Sequence, residues 1–488
     1  YGILRLQFYL PFNPQHIAAM SPRLALNTAM SFVTNTNWQA YAPESQISYG
    51  AQMFGLTVHN FLSAGTGIAA AVAISRGFAG GGLRQLGNFW ADLTRITLYV
   101  LLPVVLVGTV FLIWCGVPAT LSGYVEAHTL EGGRQTIALG PVAFQEVIKI
   151  LGTNGGGFFN ANSAHPFENP TPLSNAFETW CEIVIPFALA IAFGHIVGDP
   201  RQGRALFYAM GIILVLSIAA CYAAEAAGNP LLAQLGVDPS MGNMEGKEVR
   251  FGVPASSLFA ITTTGTSDGA VNAMHDSFTP LGGMLPMFLM QIDCVTPGGV
   301  GSGLYGMIAY ALLAVFVAGL MVGRTPEYLG KKVQAKEVKL AMLAFLILPL
   351  AMLGGAALSL VLPAGVSSLA NAGPHGLSEM LYAWSSAAAN NGSAFAGLTA
   401  DTTLLDCGLA LAMLLGRYAF LVPLLAIAGS LAAKPKLPPS AGTFPTDGPL
   451  FIGLLIGVIV IMGGLQFMPA QSLGPLAEHF SMLAGNTF

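Results

Sequence analysis

The sequence predicts an all-α polytopic membrane protein with four pseudo-repeated span–pore helix–span units, plus a final span. Three observations predict it: an apolar composition, eight apolar segments of membrane-spanning length, and a short polar motif that recurs four times. Of the 488 residues, 54% are hydrophobic and 9% are charged, and the mean hydropathy is +0.66. Soluble domains carry about 25% charged residues, so this composition excludes an ordinary soluble globular protein.

The eight apolar segments meet the criterion of roughly 20 residues for a helix that crosses a bilayer. They are 50–74, 96–117, 176–198, 205–224, 303–323, 338–361, 404–431 and 449–467. Residues 1–11 are expected to be the outer end of another span whose start precedes Tyr1.

The positions of Lys and Arg predict the orientation of the spans. Of the 19 basic residues, 12 lie in four short loops: Arg76, Arg84 and Arg95; Arg201 and Arg204; Arg324, Lys331, Lys332, Lys336 and Lys339; Lys434 and Lys436. Loops rich in Lys and Arg face the cytoplasm. Segments 12–49, 118–175, 225–280 and 362–402 then face outward, and each contains a moderately apolar stretch that can enter the membrane and return.

A repeated motif lies in these outward segments, where a short helical stretch precedes a small polar turn. The helical stretches are Leu24–Val33, Val142–Gly152, Ala255–Thr264 and Ser378–Ala389. Alignment of Asn37, Gly155, Gly269 and Gly392 gives spacings of 118, 114 and 123 residues. We therefore expect repeat units at 1–75 (truncated at its start), 92–198, 203–324 (with a broken second span) and 338–432, followed by a terminal span at 449–467.

The chemistry of the four turns points to a cation. The C-terminal end of each pore helix carries partial negative charge, and the turns offer backbone carbonyls together with Thr, Ser or Asn oxygens. Rings of such oxygens replace the hydration shell of an ion in a selectivity filter. A divalent ion would require several carboxylates, and the turns contain only Asp268. One such turn alone could be a polar loop on a transporter, but four in register favour a shared monovalent-cation site.

The region 280–323 is too long for one span and is interrupted by Gln291-Ile292-Asp293 and Thr296-Pro297-Gly298-Gly299. This pattern predicts a broken helix with an unwound middle inside the membrane, a feature found near transport sites. The alternative is an exposed loop between two short helices.

Arg417 lies alone in the apolar run 411–421. Ionisable residues at membrane depth are costly and mark functional sites. We expect Arg417 to line the inner cavity, where its charge would block direct passage to the cytoplasm. The alternative is an Arg that pairs with a carboxylate for packing alone.

Six strings are distinctive: Ser31–Gln39, Gly152–Pro170, Asn272–Ser277, Gly299–Met307, Gly323–Lys332 and Asn390–Leu398. They resemble the potassium-binding (A) subunits of the bacterial Kdp potassium-transporting ATPases, which belong to the superfamily of potassium transporters. The resemblance implies a non-catalytic subunit that binds external potassium and delivers it through an intramembrane tunnel. A separate P-type subunit would hydrolyse ATP, and two small accessory membrane subunits would complete the complex. The implied location is the bacterial plasma (inner) membrane, with potassium as substrate, no ATP on this chain and no nucleic-acid partner.

The resemblance also implies roles for individual residues. The potassium-binding filter is expected at Asn35, Thr36, Asn37, Thr153, Asn154, Gly155, Ser267, Asp268, Gly269, Asn390, Asn391 and Gly392, flanked by Gln39 and Phe158. The gate and barrier are expected at Asp293, Gly298, Gly299 and Arg417, and the partner contact at Arg324, Lys331 and Lys332. A solvated basic loop is the alternative for that contact.

Two departures from the family pattern concern these residues. Asp268 stands where a neutral residue is expected, and Asp293-Cys294 stands where the family commonly has Gly-Glu.

Two other functions are compatible with parts of the pattern. A stand-alone potassium channel or an ion-coupled potassium transporter would have the same architecture. A membrane-embedded enzyme would need convergent acid, base or metal groups, and the charges at membrane depth are few and scattered. Thr264-Gly265-Thr266 resembles a P-type phosphorylation motif, but Thr262-Thr263 precede it where Asp-Lys is required.

Overall fold

The computed structural model describes residues 1–82, 85–438 and 443–486. Arg84, one of the basic residues expected at the cytoplasmic face, lies outside them. Within the described residues, eight helices are long and apolar enough to cross a membrane: Tyr49–Ala79, Phe89–Cys115, Pro172–Ile196, Pro200–Gln234, Ser302–Val322, Ala335–Val361, Thr403–Ala433 and Pro449–Leu483. Each overlaps one predicted span, which confirms all eight.

The ends of the chain differ from the prediction in length. The last helix continues past residue 467 through a π-helical turn, Ser472–Leu476, to Ala477–Leu483, because hydropathy marks only its most apolar part. Residues 1–11 form a short helix, Gly2–Leu6, and a 3-10 turn, Gln7–Tyr9.

Four pore helices precede the four polar turns, as predicted. They are Pro22–Val33, Val142–Leu151, Gly252–Gly265 and Gly373–Ala388. The first pore helix begins earlier than the apolar pattern indicates because the Ser21 hydroxyl accepts the Leu24 amide hydrogen and caps the helix. Pro22 occupies the first helical position, where proline costs no hydrogen bond.

The broken helix is also confirmed. Helix Pro280–Gln291 ends before a non-helical segment, 292–301, and helix Ser302–Val322 follows. Segment 292–301 is almost wholly buried in protein, so the alternative of an exposed loop is wrong. Irregular backbone is tolerated at membrane depth where protein buries it.

The helices pack around Ser302–Val322. In its apolar window, 72% of the residues are buried, against 28% for both Phe89–Cys115 and Pro449–Leu483. The last two helices expose large apolar side chains such as Trp114 and Leu465. Helix Ser302–Val322 is therefore central, and the two peripheral helices carry the exposed apolar surface expected to face lipid.

The remaining elements are short connections. Strand Val125–His128 pairs antiparallel with Arg134–Ile137, with Val125 opposite Ile137, and Glu327–Tyr328 pairs with Lys331–Lys332. Short helices occur at Pro43–Gln46, Pro230–Gln234 and Pro363–Val366, and 3-10 turns at Asn162–Ala164, Pro239–Met241 and His275–Ser277.

Candidate ion-binding site

The four pore helices end in the same backbone conformation. The residue after each helix cap has positive φ: Asn35 (62°), Thr153 (44°), Ser267 (56°) and Asn390 (54°). The next amide in each turn bonds the carbonyl five residues earlier: Thr36 to Ser31 at 3.0 Å, Asn154 to Lys149 at 2.8 Å, Asp268 to Thr263 at 2.8 Å, and Asn391 to Ser386 at 2.9 Å. This is a Schellman cap. Its recurrence at spacings of 118, 114 and 123 residues agrees with the alignment made from the sequence.

The four turns contact one another in a closed ring. Asn35 Nδ2 donates to Thr153 O at 2.9 Å, which joins the first turn to the second. Ser267 Oγ donates to Asn390 O at 3.1 Å, which joins the third to the fourth. Asn390 Nδ2 donates to Thr36 Oγ1 at 2.9 Å and closes the ring.

Backbone packing makes the remaining contact between the second and third turns. A Cβ built on Gly155 would overlap the backbone of Gly269, and one on Gly269 would lie 2.8 Å from Asn391 O. A Cβ on Gly392 would overlap Thr36 O. Only glycine permits these approaches, so the aligned glycines lie where the backbones of successive units meet.

At one equivalent position of the ring, the backbone carbonyl oxygens of three turns have no hydrogen-bond donor among the residues that the structure describes. They belong to Thr36, Asn154 and Asn391, the equivalent residues of the first, second and fourth turns, and all three residues are fully buried. In the third turn, Asp268 O accepts from Thr263 Oγ1 at 2.9 Å and from Asn391 Nδ2 at 3.1 Å. Buried polar groups require a partner, so these three oxygens are available to a ligand.

Asp268 bonds the backbone of its own turn. Its Oδ1 accepts the Ala270 amide hydrogen at 2.9 Å, its side chain is fully buried, and its Oδ2 has no donor among the described residues. The carboxylate therefore contributes to the shape of the third turn.

Gln39 and Phe158, the residues predicted to flank the filter, hold the second turn in place. Gln39 donates to Gly157 O at 3.2 Å and accepts from Gly157 N at 3.1 Å, a paired contact between the first and second units. Phe158 is buried against Gly140, where no Cβ could fit beside its ring.

A buried ionic cluster behind the second turn was missed by the sequence analysis. Lys149 Nζ lies 2.7 Å from Glu146 Oε1 and 2.7 Å from Glu168 Oε2, and all three side chains are buried. Lys149 also donates to Asn162 Oδ1 at 2.9 Å, while Asn162 Nδ2 donates to Gly155 O at 2.8 Å. The cluster thus holds a filter carbonyl. The sequence signal for this cluster was the pair of opposite charges on Glu146 and Lys149, three residues apart in an apolar pore helix.

The unwound segment 292–301 lies directly beside the turns. Gly298 N donates to Gly265 O at 2.8 Å, and Val300 N donates to Thr153 Oγ1 at 3.0 Å. A Cβ on Gly299 would lie 3.4 Å from Thr266 O. The predicted gate residues Gly298 and Gly299 are therefore packed against two of the four turns.

Arg417 lies in a π-helical turn, Leu415–Ala419, within the span Thr403–Ala433. Its side chain is buried and contacts Tyr305 Oη at 3.5 Å. No carboxylate of the described residues lies within 4.0 Å of it, so the alternative of a direct ion pair for packing is not observed. Asp293 is half-buried, and its buried Oδ2 has no donor among these residues. π-Helical turns occur frequently at functional sites.

The predicted partner-contact residues differ in exposure. Arg324 and Lys332 are exposed, whereas Lys331 is fully buried. A tight hairpin at Leu329 and Gly330, both with positive φ, directs the Lys331 ammonium inward, where it donates to Gly77 O at 3.0 Å and to Leu431 O at 2.5 Å. Lys331 neutralises the C-terminal ends of two spans, which corrects its assignment to a partner surface.

Eight spans with four pore helices that end in a shared ring define a polytopic membrane protein with a potassium-transporter fold. The potassium transporter TrkH from Vibrio parahaemolyticus has this fold: its TM-score with the chain is 0.56 at 16% sequence identity, over 86% of this chain and 82% of TrkH. The family described as "Potassium-transporting ATPase A subunit" matches residues 1–480. The chain belongs to this family.

Close relatives cover the whole chain. It is 61% identical to a protein of Allorhizobium ampelinum and 62% identical to one of Methylorubrum populi, over all 488 residues and over 86% and 85% of those proteins. Both are named "Potassium-transporting ATPase potassium-binding subunit".

Proposed function

We propose that the chain binds potassium at the ring of four turns and supplies it to an ATP-driven uptake complex. The observation that carries the proposal is the set of three equivalent, buried carbonyls, of Thr36, Asn154 and Asn391, without a donor among the described residues. They lie at the negative ends of pore helices. Carbonyls in a ring replace the hydration shell of potassium.

The family membership supports the particular ion and the division of labour. The relatives are named for potassium binding within a potassium-transporting ATPase, and this chain is proposed to be the corresponding non-catalytic subunit. ATP hydrolysis is assigned to a separate P-type subunit, with two small accessory subunits in the same bacterial inner membrane. The twelve filter residues and the boundaries 1–75, 92–198, 203–324, 338–432 and 449–467 are part of this proposal.

The exit route is proposed to run past the unwound segment 292–301. Gly298 bonds the third unit and Val300 bonds the second unit directly. A movement of segment 292–301 would therefore alter the space below the ring. Arg417 would prevent direct leakage toward the cytoplasm, so potassium would leave through an intramembrane tunnel. Arg324 and Lys332, both exposed, are the residues retained as candidates for contact with the catalytic subunit.

The test is equilibrium binding of 86Rb, a potassium analogue, to the purified complex in detergent. Unlabelled potassium is expected to displace 86Rb at concentrations at least a hundredfold lower than sodium. ATP hydrolysis by the same preparation is expected to require potassium. Equal displacement by the two ions would contradict the filter, and purification of a functional chain without any ATPase subunit would favour a stand-alone channel or transporter.

A further inference from the structure

A second cluster of ligand-type side chains lies away from the ring. We propose that Asp276, His375 and Glu379 bind a divalent zinc-class metal ion on the side where the pore helices begin. One ligand atom from each of the three lies within 4.8 Å of the others. His375 is in the first turn of the fourth pore helix, Glu379 is one turn later, and Asp276 follows the third polar turn. The site would therefore join two repeat units.

His375 faces a carboxylate through each ring nitrogen, so a metal ion would take the place of its contact with Asp276. Its Nδ1 lies 2.8 Å from Glu478 Oε1, and its Nε2 lies 2.9 Å from Asp276 Oδ1. Metal-binding histidines commonly bond a carboxylate through one nitrogen while the other faces the metal. Glu478, from helix Ala477–Leu483, would serve as that orienting carboxylate.

Two carboxylates face each other beside His375. A Cβ on Gly397, which has φ of 76°, would lie 3.0 Å from Glu379 Oε1 and 3.1 Å from Asp276 Oδ2. Asp276 Oδ2 accepts no hydrogen bond from the described residues, and Glu379 is fully buried. The two Glu379 oxygens accept hydrogen bonds from Asn371 Nδ2 at 2.7 Å and from the Ala370 amide at 3.1 Å. The glycine keeps open a space between two like charges, which a bound cation would stabilise.

The ligand types select the metal. One imidazole nitrogen with two carboxylate oxygens is a donor set used by zinc, whereas calcium and magnesium prefer oxygen ligands alone. A cleft of about 220 Å³ is lined by Asp276, His375 and Glu478. Water from this cleft can supply the fourth ligand of a tetrahedral ion.

The experiment uses the purified, untagged complex after removal of metals with a chelator. Addition of Zn²⁺ followed by desalting should leave one zinc per chain, measured by mass spectrometry, and Co²⁺ should give visible absorption bands of a tetrahedral site. His375→Gln and Glu379→Gln should each weaken binding at least tenfold, while His128→Gln, at an exposed histidine, should not. Neither measurement depends on potassium binding. No retained metal in the parent complex, or equal retention in both variants and the control, would overturn the proposal.

Discussion

Asn390 and Thr36, 354 positions apart in the sequence, meet at the point where the first and fourth units close the ring. Asn390 Nδ2 donates to Thr36 Oγ1 at 2.9 Å and also to Met413 O at 2.9 Å. One side-chain amide thus joins two turns and a membrane span. The ring is maintained by side-chain bonds at three of its contacts and by backbone packing between the second and third turns, while each turn is shaped by its own helix cap.

Asn390→Ala should weaken the ring without preventing membrane insertion. It removes two buried hydrogen bonds, each of which contributes about 0.5–1.5 kcal/mol. If that cost falls on the ion-bound state, potassium affinity should drop about tenfold, since 1.4 kcal/mol is a factor of about ten. The measurement is potassium displacement of 86Rb, with Asn486→Ala, at an exposed residue, as control. Parent affinity in Asn390→Ala would contradict a role for this contact.

Gly155→Ala should impair potassium binding strongly, although the substitution adds only one methyl group. The added Cβ would overlap the Gly269 backbone at a residue with φ of 87°, so both the contact and the conformation oppose it. We expect potassium affinity to fall at least tenfold. Gly429→Ala is the matched control because a Cβ there meets no atom within 4 Å. Similar affinities for the two variants would count against the ring as the binding site.

Lys149→Met should destabilise the protein strongly. It leaves Glu146 and Glu168 buried without their cation, and breaking a buried ion pair costs about 3–5 kcal/mol. The expected result is a clear fall in melting temperature in detergent, partly restored by adding Glu146→Gln. Lys332→Met, at an exposed lysine, should leave the melting temperature unchanged. A stable Lys149→Met variant would show that the two glutamates are already neutral.

Stability of the metal-free protein should also fall at alkaline pH through His375. Its pKa is raised to about 10 despite burial, by hydrogen bonds to Asp276 and Glu478, while Glu379 and Glu245 also border this region. Because the folded pKa exceeds the unfolded value near 6.5, the stabilisation is complete below pH 6.5 and is lost as pH rises through about 10. Melting temperatures from pH 7 to 11 should fall less for His375→Gln than for the parent. Parallel curves would place the titrating group elsewhere.

Sequence reasoning located the spans, pore helices and turns because each depends on local chemistry. Apolar length defines a span, and the residues after Val33, Leu151, Gly265 and Ala388 include the small polar types that tolerate positive φ. The spacings between the four helix caps equal the predicted spacings between the turns because each turn directly follows its cap.

Contacts between distant side chains could not be predicted in the same way. The Lys149 cluster needs Asn162 and Glu168, which the chain brings back only after the second turn. Lys331 lies in a basic loop that suggests an exposed face, but its hairpin directs it onto the ends of two spans. Which of several nearby charges is buried depends on tertiary packing.

Arg417→Met should uncouple transport from ATP hydrolysis. Arg417 is buried in the span Thr403–Ala433, beside Tyr305 and without a carboxylate within 4.0 Å among the described residues. Two unit charges 4 Å apart repel by about 4 kcal/mol at an effective dielectric constant near 20. A barrier of this size slows leakage about a thousandfold, since about 1.4 kcal/mol changes a rate tenfold.

Potassium flux into vesicles, measured with and without ATP, distinguishes a barrier from a structural role. The neutral variant should leak potassium without ATP or transport less potassium for each ATP hydrolysed. Arg417→Lys keeps the charge and should retain most of the coupling, although it loses the guanidinium contact with the Tyr305 hydroxyl. If Arg417→Met matches the parent in flux per ATP and shows no passive leak, the barrier lies elsewhere. If Met and Lys both reduce only the melting temperature, Arg417 serves the packing of its π-helical turn, and the half-buried Asp293 becomes the next residue to test.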